Sequence, residues 1–380
     1  MGKPFSSVTV VVLSLLLLTS CGNFEAAPEP SSPTADITAV SPTPASDRGT
    51  LNRKERQELY AFINKQLTGP YGVYTNLLET DESGEAASGH EILSESASLL
   101  MRTAVLEGSK EQFAARWTLA KQTFDMEGGF SYRYSPKLQK QYPVNAAVDD
   151  LRLIGALYGA GQAFKEPGYT AEADKYGKRF YDNNVKSGYM YDFYDNVYKT
   201  TNKFVTLCYI DLSVLRNLAI PIEKRNLLLH NMGGILEEGY LSDAFPFYET
   251  RFDYDTGTYG SEGINTVESL LSILHLAELN RQKPASISYI KEQVAAGTLY
   301  GQYTRDGKPL NDIRSTAIYA LAAMIGAEVG DGALYQAGIE RMNEFRVTDA
   351  GSPLYGGFGD TGTGQAYSFD NLMALLAYSY

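Results

Sequence analysis

The sequence predicts an all-α fold, an (α/α)6 toroid in which six inner helices are surrounded by six outer helices. The main observation is a repeat, in which a turn of glycine and aromatic residues precedes an apolar helix and an amphipathic helix. Successive turns begin 51 to 60 residues apart, a period typical of architectures built from one repeated unit. The turns are GPYGVY (69), GGFSYRY (128), GYMYDFY (188), GYLSDAF (239), GTLYGQY (297) and GSPLYGGF (351).

The two helices of each repeat differ in where their apolar side chains lie. The amphipathic segment after the first apolar helix carries Phe113, Trp117, Ala120 and Phe124 on one stripe, which predicts one buried and one solvated face. Other segments are apolar almost all round, which predicts helices that are buried on every side. These segments are 99–106, 151–160, 204–215, 267–279, 315–327 and 371–380.

The order of the segments predicts that the ring closes. The last apolar segment has no amphipathic partner after it, and the amphipathic segment RKERQELYAFINKQL (53–67) supplies one from the other end of the domain. An open helical solenoid is the alternative, because a repeat alone does not require closure.

Two segments precede the predicted domain of residues 51–380. Residues 1–20 contain Lys3, an apolar run and LTSC, which resembles the lipobox of a bacterial lipoprotein signal and implies lipidation of Cys21. An ordinary signal peptide or an uncleaved anchor is the alternative. Residues 21–50 are rich in Pro, Ser and Thr, which predicts a disordered tether. We therefore expect an extracytoplasmic monomer, held at the cell membrane by lipid on Cys21.

Composition narrows the classes of partner. The chain has 45 acidic and 33 basic residues, which disfavours nucleic acid and acidic polymers. Its 28 tyrosines suit sugar rings, whose apolar faces stack on aromatic side chains. No metal or other cofactor is expected, because the three histidines lack ligand spacing and no phosphate-binding loop is present. The segment FDYDTGTYG begins like a calcium loop, but the rest of that pattern is missing.

In a toroid the loops before the inner helices meet at one end, so polar residues at those helix starts become neighbours. Glu95 in HEILSESASLLMRTAV is the first of them. Its negative charge is either merely stabilised by the helix dipole or used in catalysis. Carboxylates that face each other across an aromatic cleft are what glycoside hydrolysis requires. The candidates for this end are Tyr132, Asp149, Asp150, Tyr209, Asp211, Asp255, Tyr259, Glu262, Glu268 and Asp370.

The sequence resembles glycoside hydrolase family 8 in two motifs. ILSESASLLMRTAV is similar to the Ser-Glu-Gly motif of that family, whose glutamate is the general acid, and YPVNAAVDDLRLIGAL to its Ala-Thr-Asp-x-Asp-Leu motif. The resemblance covers about residues 51–380. It implies an inverting hydrolase with Glu95 as acid, and its exopolysaccharide-associated members imply endo cleavage of a β-linked exopolysaccharide.

The match to the family departs at the catalytic base. The Tyr-Asp-Ala-x-Arg segment of the family is replaced by RFDYDTGTYGSEGINTVESL. Asp255 reproduces the Tyr-Asp pair and is favoured, whereas Glu262 lies nearer the helix start. Ser96 stands where the family has glycine, and Asp149 is displaced by one position from the family's first aspartate. The residues expected to bind substrate are Tyr132, Asp149, Asp150, Tyr209, Asp211 and Tyr259.

Two other functions fit the same toroid. A polysaccharide lyase or epimerase would need groups that neutralise a uronate, which an acidic cleft supplies poorly. A non-catalytic glycan-binding subunit of an exopolysaccharide synthase complex is suggested by the imperfect motifs. The sequence does not identify the sugar, although negative charge favours a neutral or amino-bearing polymer over a uronic-acid polymer.

Overall fold

The computed structural model describes residues 52–380 except 83 and 85, so the predicted signal peptide, Cys21 and the tether lie outside the described residues. The described part of the chain contains twelve α-helices. They are α1 (Arg53–Phe62), α2 (Ser94–Leu106), α3 (Lys110–Phe124), α4 (Ala147–Ala163), α5 (Pro167–Asn184), α6 (Leu212–Leu215), α7 (Ile222–Glu238), α8 (Thr266–Ala277), α9 (Pro284–Ala296), α10 (Thr316–Glu328), α11 (Gly332–Asn343) and α12 (Ser368–Ala377).

The even-numbered helices form the inner ring. Each contacts the next around the ring, and α12 packs against α2, which confirms the predicted closed (α/α)6 toroid. The outer helix α1 packs on α12, as the predicted order of segments requires. None of the helices in the described part of the chain is long and apolar enough to cross a membrane.

Burial follows the predicted difference between the two kinds of helix. In the inner helix α10 every residue from Thr316 to Ala327 is buried. In the outer helix α3 burial is confined to one face, which includes the predicted stripe of Phe113, Trp117, Ala120 and Phe124. Apolar burial of this extent supplies most of the free energy that holds the two rings together.

The third inner helix differs from its prediction over 204–215. Residues 204–206 are a strand, 207–209 form one turn of 3-10 helix, and only Leu212–Leu215 are α-helical. Phe204, Val205 and Thr206 have aromatic and β-branched side chains, and their backbone pairs with Arg251–Asp253 instead of forming helical hydrogen bonds.

Short antiparallel strands, which the sequence analysis did not predict, join most of the loops that precede the inner helices. Ile92 pairs with Tyr134, and Leu93 with Arg133, so the segment entering α2 is fixed to the loop that follows α3. The strands are β1 (Thr68–Gly69), β2 (Gly72–Val73), β3 (Ile92–Leu93), β4 (Arg133–Ser135), β5 (Lys140–Gln141), β6 (Val185–Lys186), β7 (Tyr189–Met190), β8 (Tyr194–Asp195), β9 (Thr200–Thr201), β10 (Phe204–Thr206), β11 (Arg251–Asp253), β12 (Thr258–Gly260), β13 (Ile264–Asn265) and β14 (Gln302–Tyr303).

Candidate functional site

Glu95 is the second residue of α2, at the end of the ring where the inner helices begin. Strand β3 ends directly before α2, and the Ser94 N–H donates to the Tyr132 carbonyl oxygen at 3.1 Å. The side chain of Glu95 is 25% exposed, so its carboxyl group borders the core and is still reached by solvent. This is the environment that a proton donor to a bound substrate requires.

Asp149 and Arg152 of α4 complete the surroundings of Glu95. Their spacing of three residues puts both side chains on one face of the helix. Nη1 of Arg152 lies 3.4 Å from Oε2 of Glu95 and 3.4 Å from Oδ1 of Asp149. The Ser94 hydroxyl donates to Oδ2 of Asp149 at 2.9 Å. One guanidinium therefore bridges two carboxyl groups that belong to neighbouring inner helices.

Burial raises the pKa of Glu95 to about 7, an effect that Arg152 opposes and the nearby charge of Asp149 reinforces. Burial also raises the pKa of Asp149, against the opposing effects of Arg152 and of the hydrogen bond from Ser94. A carboxyl group with its pKa near 7 is about half protonated at neutral pH and largely protonated in mildly acidic solution. Glu95 can therefore donate a proton to a leaving oxygen.

Asp150 points away from this group, although it is the next residue after Asp149. Its Oδ1 accepts from the Phe130 N–H at 3.1 Å, and its Oδ2 accepts from the Asn145 amide at 2.9 Å. Burial raises the pKa of Asp150 to about 7, against those hydrogen bonds. Both oxygens are used within the chain, so Asp150 fixes the loop before α4 while its neighbour Asp149 lies beside Glu95.

A second set of polar groups continues from Arg152 toward α8. Tyr209 is half-buried, and its pKa is raised by burial and by the charge of Asp192. Asp149 raises it further by a smaller amount, and Arg152 lowers it. The Asp192 carboxylate accepts from the Thr206 N–H at 2.7 Å and hydroxyl at 2.6 Å. Burial raises the pKa of Asp192 to about 6. These residues extend the polar surface from α4 to the 3-10 turn and its preceding loop.

Glu268 lies in the first turn of α8 and is half-buried. Burial raises its pKa, an effect that Arg251 and a hydrogen bond from the Thr250 side chain oppose. Its charge acts on both Asp192 and Cys208, which places it near the second set of polar groups. Glu268 was predicted from the sequence only as a polar residue at a helix start, and not as the catalytic base.

The two carboxylates predicted as the base lie in more open positions. Asp255 is in the turn between β11 and β12, where its side chain is 58% exposed and its Oδ2 pairs with Nζ of Lys203 at 2.6 Å. Glu262 is exposed. Within the part of the chain that the structure describes, neither forms an ion pair or a side-chain hydrogen bond with Glu95, Asp149 or Arg152.

Three other predicted substrate residues have contacts within the chain. Asp211 caps α6, where its Oδ1 accepts the N–H groups of Ser213 at 2.9 Å and Val214 at 3.0 Å. The Tyr259 hydroxyl donates to the Ile235 carbonyl oxygen of outer helix α7 at 2.8 Å. The Tyr132 ring packs on that of Tyr142, with centroids 6.0 Å apart. Across residues 52–380, apart from 83 and 85, no three potential ligands converge on a point where a metal ion could bind.

Comparison with known proteins gives several similar chains and no matching family model. The sequence is 28% identical to YdaJ of Bacillus subtilis, provisionally named a lipoprotein, over 86% of this chain and 87% of that one. A structure described as a novel α-amylase from Clostridium perfringens shares 31% identity and a TM-score of 0.80, over 86% of this chain and 97% of that one. The endoglucanase Cel10 of Klebsiella pneumoniae, a family 8 glycosyl hydrolase, superposes with a TM-score of 0.58 at 14% identity, over 85% of this chain and 98% of that one.

Proposed function

The chain has the fold of glycoside hydrolase family 8 and belongs to the same family as the Clostridium perfringens protein, and from this premise we propose that it hydrolyses a polysaccharide. The observation that carries the proposal is the position of Glu95, a half-buried carboxyl group with its pKa raised to about 7 at the mouth of the inner ring. An acid of this kind protonates the leaving oxygen as the glycosidic bond breaks.

In the proposed reaction Glu95 acts as the general acid and a second carboxylate removes a proton from the attacking water. The proposed outcome is inversion, for which the two carboxyl groups are about 6.5–9.5 Å apart so that water fits between sugar and base. Asp255 and Glu262 are the candidates from sequence, and Glu268 is a third because it is partly shielded at an inner-helix start. For Asp255 to serve, its ion pair with Lys203 must open when the glycan binds.

We propose that Asp149 and Tyr209 contact the sugar ring, because both lie beside Arg152 at this end of the ring. Asp150, Asp211, Tyr132 and Tyr259 would then act mainly by shaping the loops around the cleft. Alanine at Asp149 should raise KM and lower kcat, whereas alanine at Tyr259 should mainly lower stability.

The proposed substrate is a β-linked exopolysaccharide that is cut internally. A second candidate is an α-linked glucan, which is favoured by the 31% identity to a protein described as an α-amylase. Reducing-end release from amylose and from a panel of neutral and amino-bearing exopolysaccharides separates the two. Cleavage of amylose alone would rule out the β-linked substrate.

Glu95→Gln keeps the size of the side chain and removes its ability to donate a proton. We expect it to lower kcat by about 10²–10⁴-fold while glycan binding is retained. Undiminished activity would contradict the role of Glu95 as acid. Unsaturated products that absorb in the ultraviolet would indicate a lyase, and binding without new reducing ends in the wild type would indicate a glycan-binding subunit.

We also propose that the protein works outside the cytoplasm, attached to the membrane through lipid on Cys21. The similarity to YdaJ supports this location. Cys21→Ser should move the protein from the membrane fraction to the medium and abolish incorporation of labelled palmitate.

A further inference from the structure

The charges around Glu95 and Asp149 do not balance if both carboxyl groups are ionised. Arg152 is the one basic side chain within ion-pair distance of either group in the described part of the chain. Asp149 and Arg152 are 7% and 11% exposed, and Glu95 is 25% exposed, so solvent reaches the group only from the side of Glu95 and compensates only part of an excess charge. A second negative charge in such a place is opposed by desolvation and by the first.

The hydrogen bonds decide which of the two carboxyl groups carries the negative charge. Asp149 receives the Ser94 hydroxyl at 2.9 Å in addition to Arg152, whereas in the described part of the chain the Glu95 carboxyl group has Arg152 as its one side-chain partner. A hydrogen bond donated to a carboxylate stabilises its charged form. Asp149 is therefore the better site for the charge, and Glu95 is the better site for the proton.

We propose that Ser94 is a positioning residue: its hydrogen bond directs the single negative charge of the pair to Asp149, where Arg152 pairs with it, and so leaves the proton on Glu95. The inference rests on the proposed function, because it explains how a general acid stays protonated before substrate binds. Arg152 also holds the Glu95 carboxyl group at one place on the rim, because the same Nη1 contacts both helices.

Other groups that face this pair belong to the neighbouring elements. Cys208 and Tyr209 of the 3-10 turn lie close enough to act on Arg152 electrostatically, and Asp192 and Glu268 lie beyond them. From α12, the Ser368 hydroxyl lies 3.4 Å from that of Ser96, and Asp370 accepts the Ala317 N–H at 2.9 Å. None of these groups brings a second cation to the pair.

The test measures the titration of Glu95 directly, by ¹³C NMR of the side-chain carboxyl carbons in labelled protein, with the signal assigned by its loss in Glu95→Gln. Arg152→Met removes the cation at similar length, and the midpoint of Glu95 should rise by about one pH unit. Arg152→Lys keeps the charge and should restore most of the wild-type midpoint. Ser94→Ala should raise the midpoint of Asp149 and lower that of Glu95.

Arg346→Met is the matched control. Arg346 is 9% exposed and forms an ion pair with Glu58 of α1, which is 22% exposed, so the variant also removes a largely buried cation from a glutamate. It should leave the Glu95 midpoint unchanged. In Arg152→Met the alkaline limb of the kcat/KM profile should shift to higher pH together with the NMR midpoint of Glu95.

Unchanged midpoints of both carboxyl groups in Ser94→Ala, or an unchanged Glu95 midpoint in Arg152→Met, would overturn the inference. If either variant does not fold, a wild-type Glu95 midpoint that lies below the midpoint of Asp149 would overturn it instead. The NMR titration needs no substrate, so it tests the charge distribution even if no polysaccharide is cleaved. Absence of cleavage would count against the proposed function alone.

Discussion

The buried ion pair between Glu91 and Arg133 should dominate the stability of the loop that enters α2. Nε and Nη2 of Arg133 donate to the two oxygens of Glu91, each at 2.6 Å, and the side chains are 1% and 0% exposed for Arg133 and Glu91. The guanidinium also donates to the Gly84 carbonyl oxygen and lies 4.5 Å from the centroid of the Tyr142 ring. Arg133→Met would leave a desolvated carboxylate without its main partner.

Breaking a buried pair in this way costs about 3–5 kcal/mol, because the remaining charge has neither water nor a counter-ion. Replacing both members by apolar groups, as in Glu91→Leu with Arg133→Met, should recover most of that loss. Urea unfolding followed by fluorescence of Trp117, the one tryptophan of the chain, measures both changes. A loss below about 1 kcal/mol in the single variant, or an equal loss in the double variant, would refute the reasoning.

Three other expectations follow from buried groups. Activity should decline as pH rises past about 7, because the acid form of Glu95 is then lost, and a kcat/KM profile that rises through this range would contradict the assignment. Cys208 is buried and its pKa is raised by burial, so iodoacetamide should modify it in urea but not in the native protein, as mass spectrometry would show. Asp150→Ala should destabilise the protein by about 1–3 kcal/mol, because it leaves the buried Phe130 N–H without its acceptor, and an unchanged urea midpoint would argue against that role.

The sequence was sufficient to predict the ring because the relevant signals are local. Burial on one face or on all faces of a helix follows from spacing within about 15 residues, and Phe113 and Trp117 lie where that spacing puts them. Residues 204–215 were predicted wrongly for the opposite reason. Phe204–Thr206 pairs with a strand about fifty residues away, which apolar character alone does not reveal.

The candidate site was less accessible to sequence reasoning, because adjacent residues of a helix face different directions. Asp149 and Asp150 look equivalent in AAVDDLRL, yet one meets Arg152 and the other meets Asn145. The spacing of Asp149 and Arg152 was a readable signal for a pair on one helix face. That Arg152 also reaches Glu95 depends on how α2 packs against α4, which no local pattern contains.

Closure of the ring by α12 against α2 also determines when the site can form during folding. Ser96 and Ser368 meet across a separation of 272 residues, and the Ser368 N–H donates to the Thr75 carbonyl oxygen. Contacts between such distant segments close a long loop, which costs conformational entropy. Folding rates fall as such contacts become more numerous. A growing chain thus carries Glu95 long before it has the last inner helix of the ring, so the proposed activity should appear only when that helix docks.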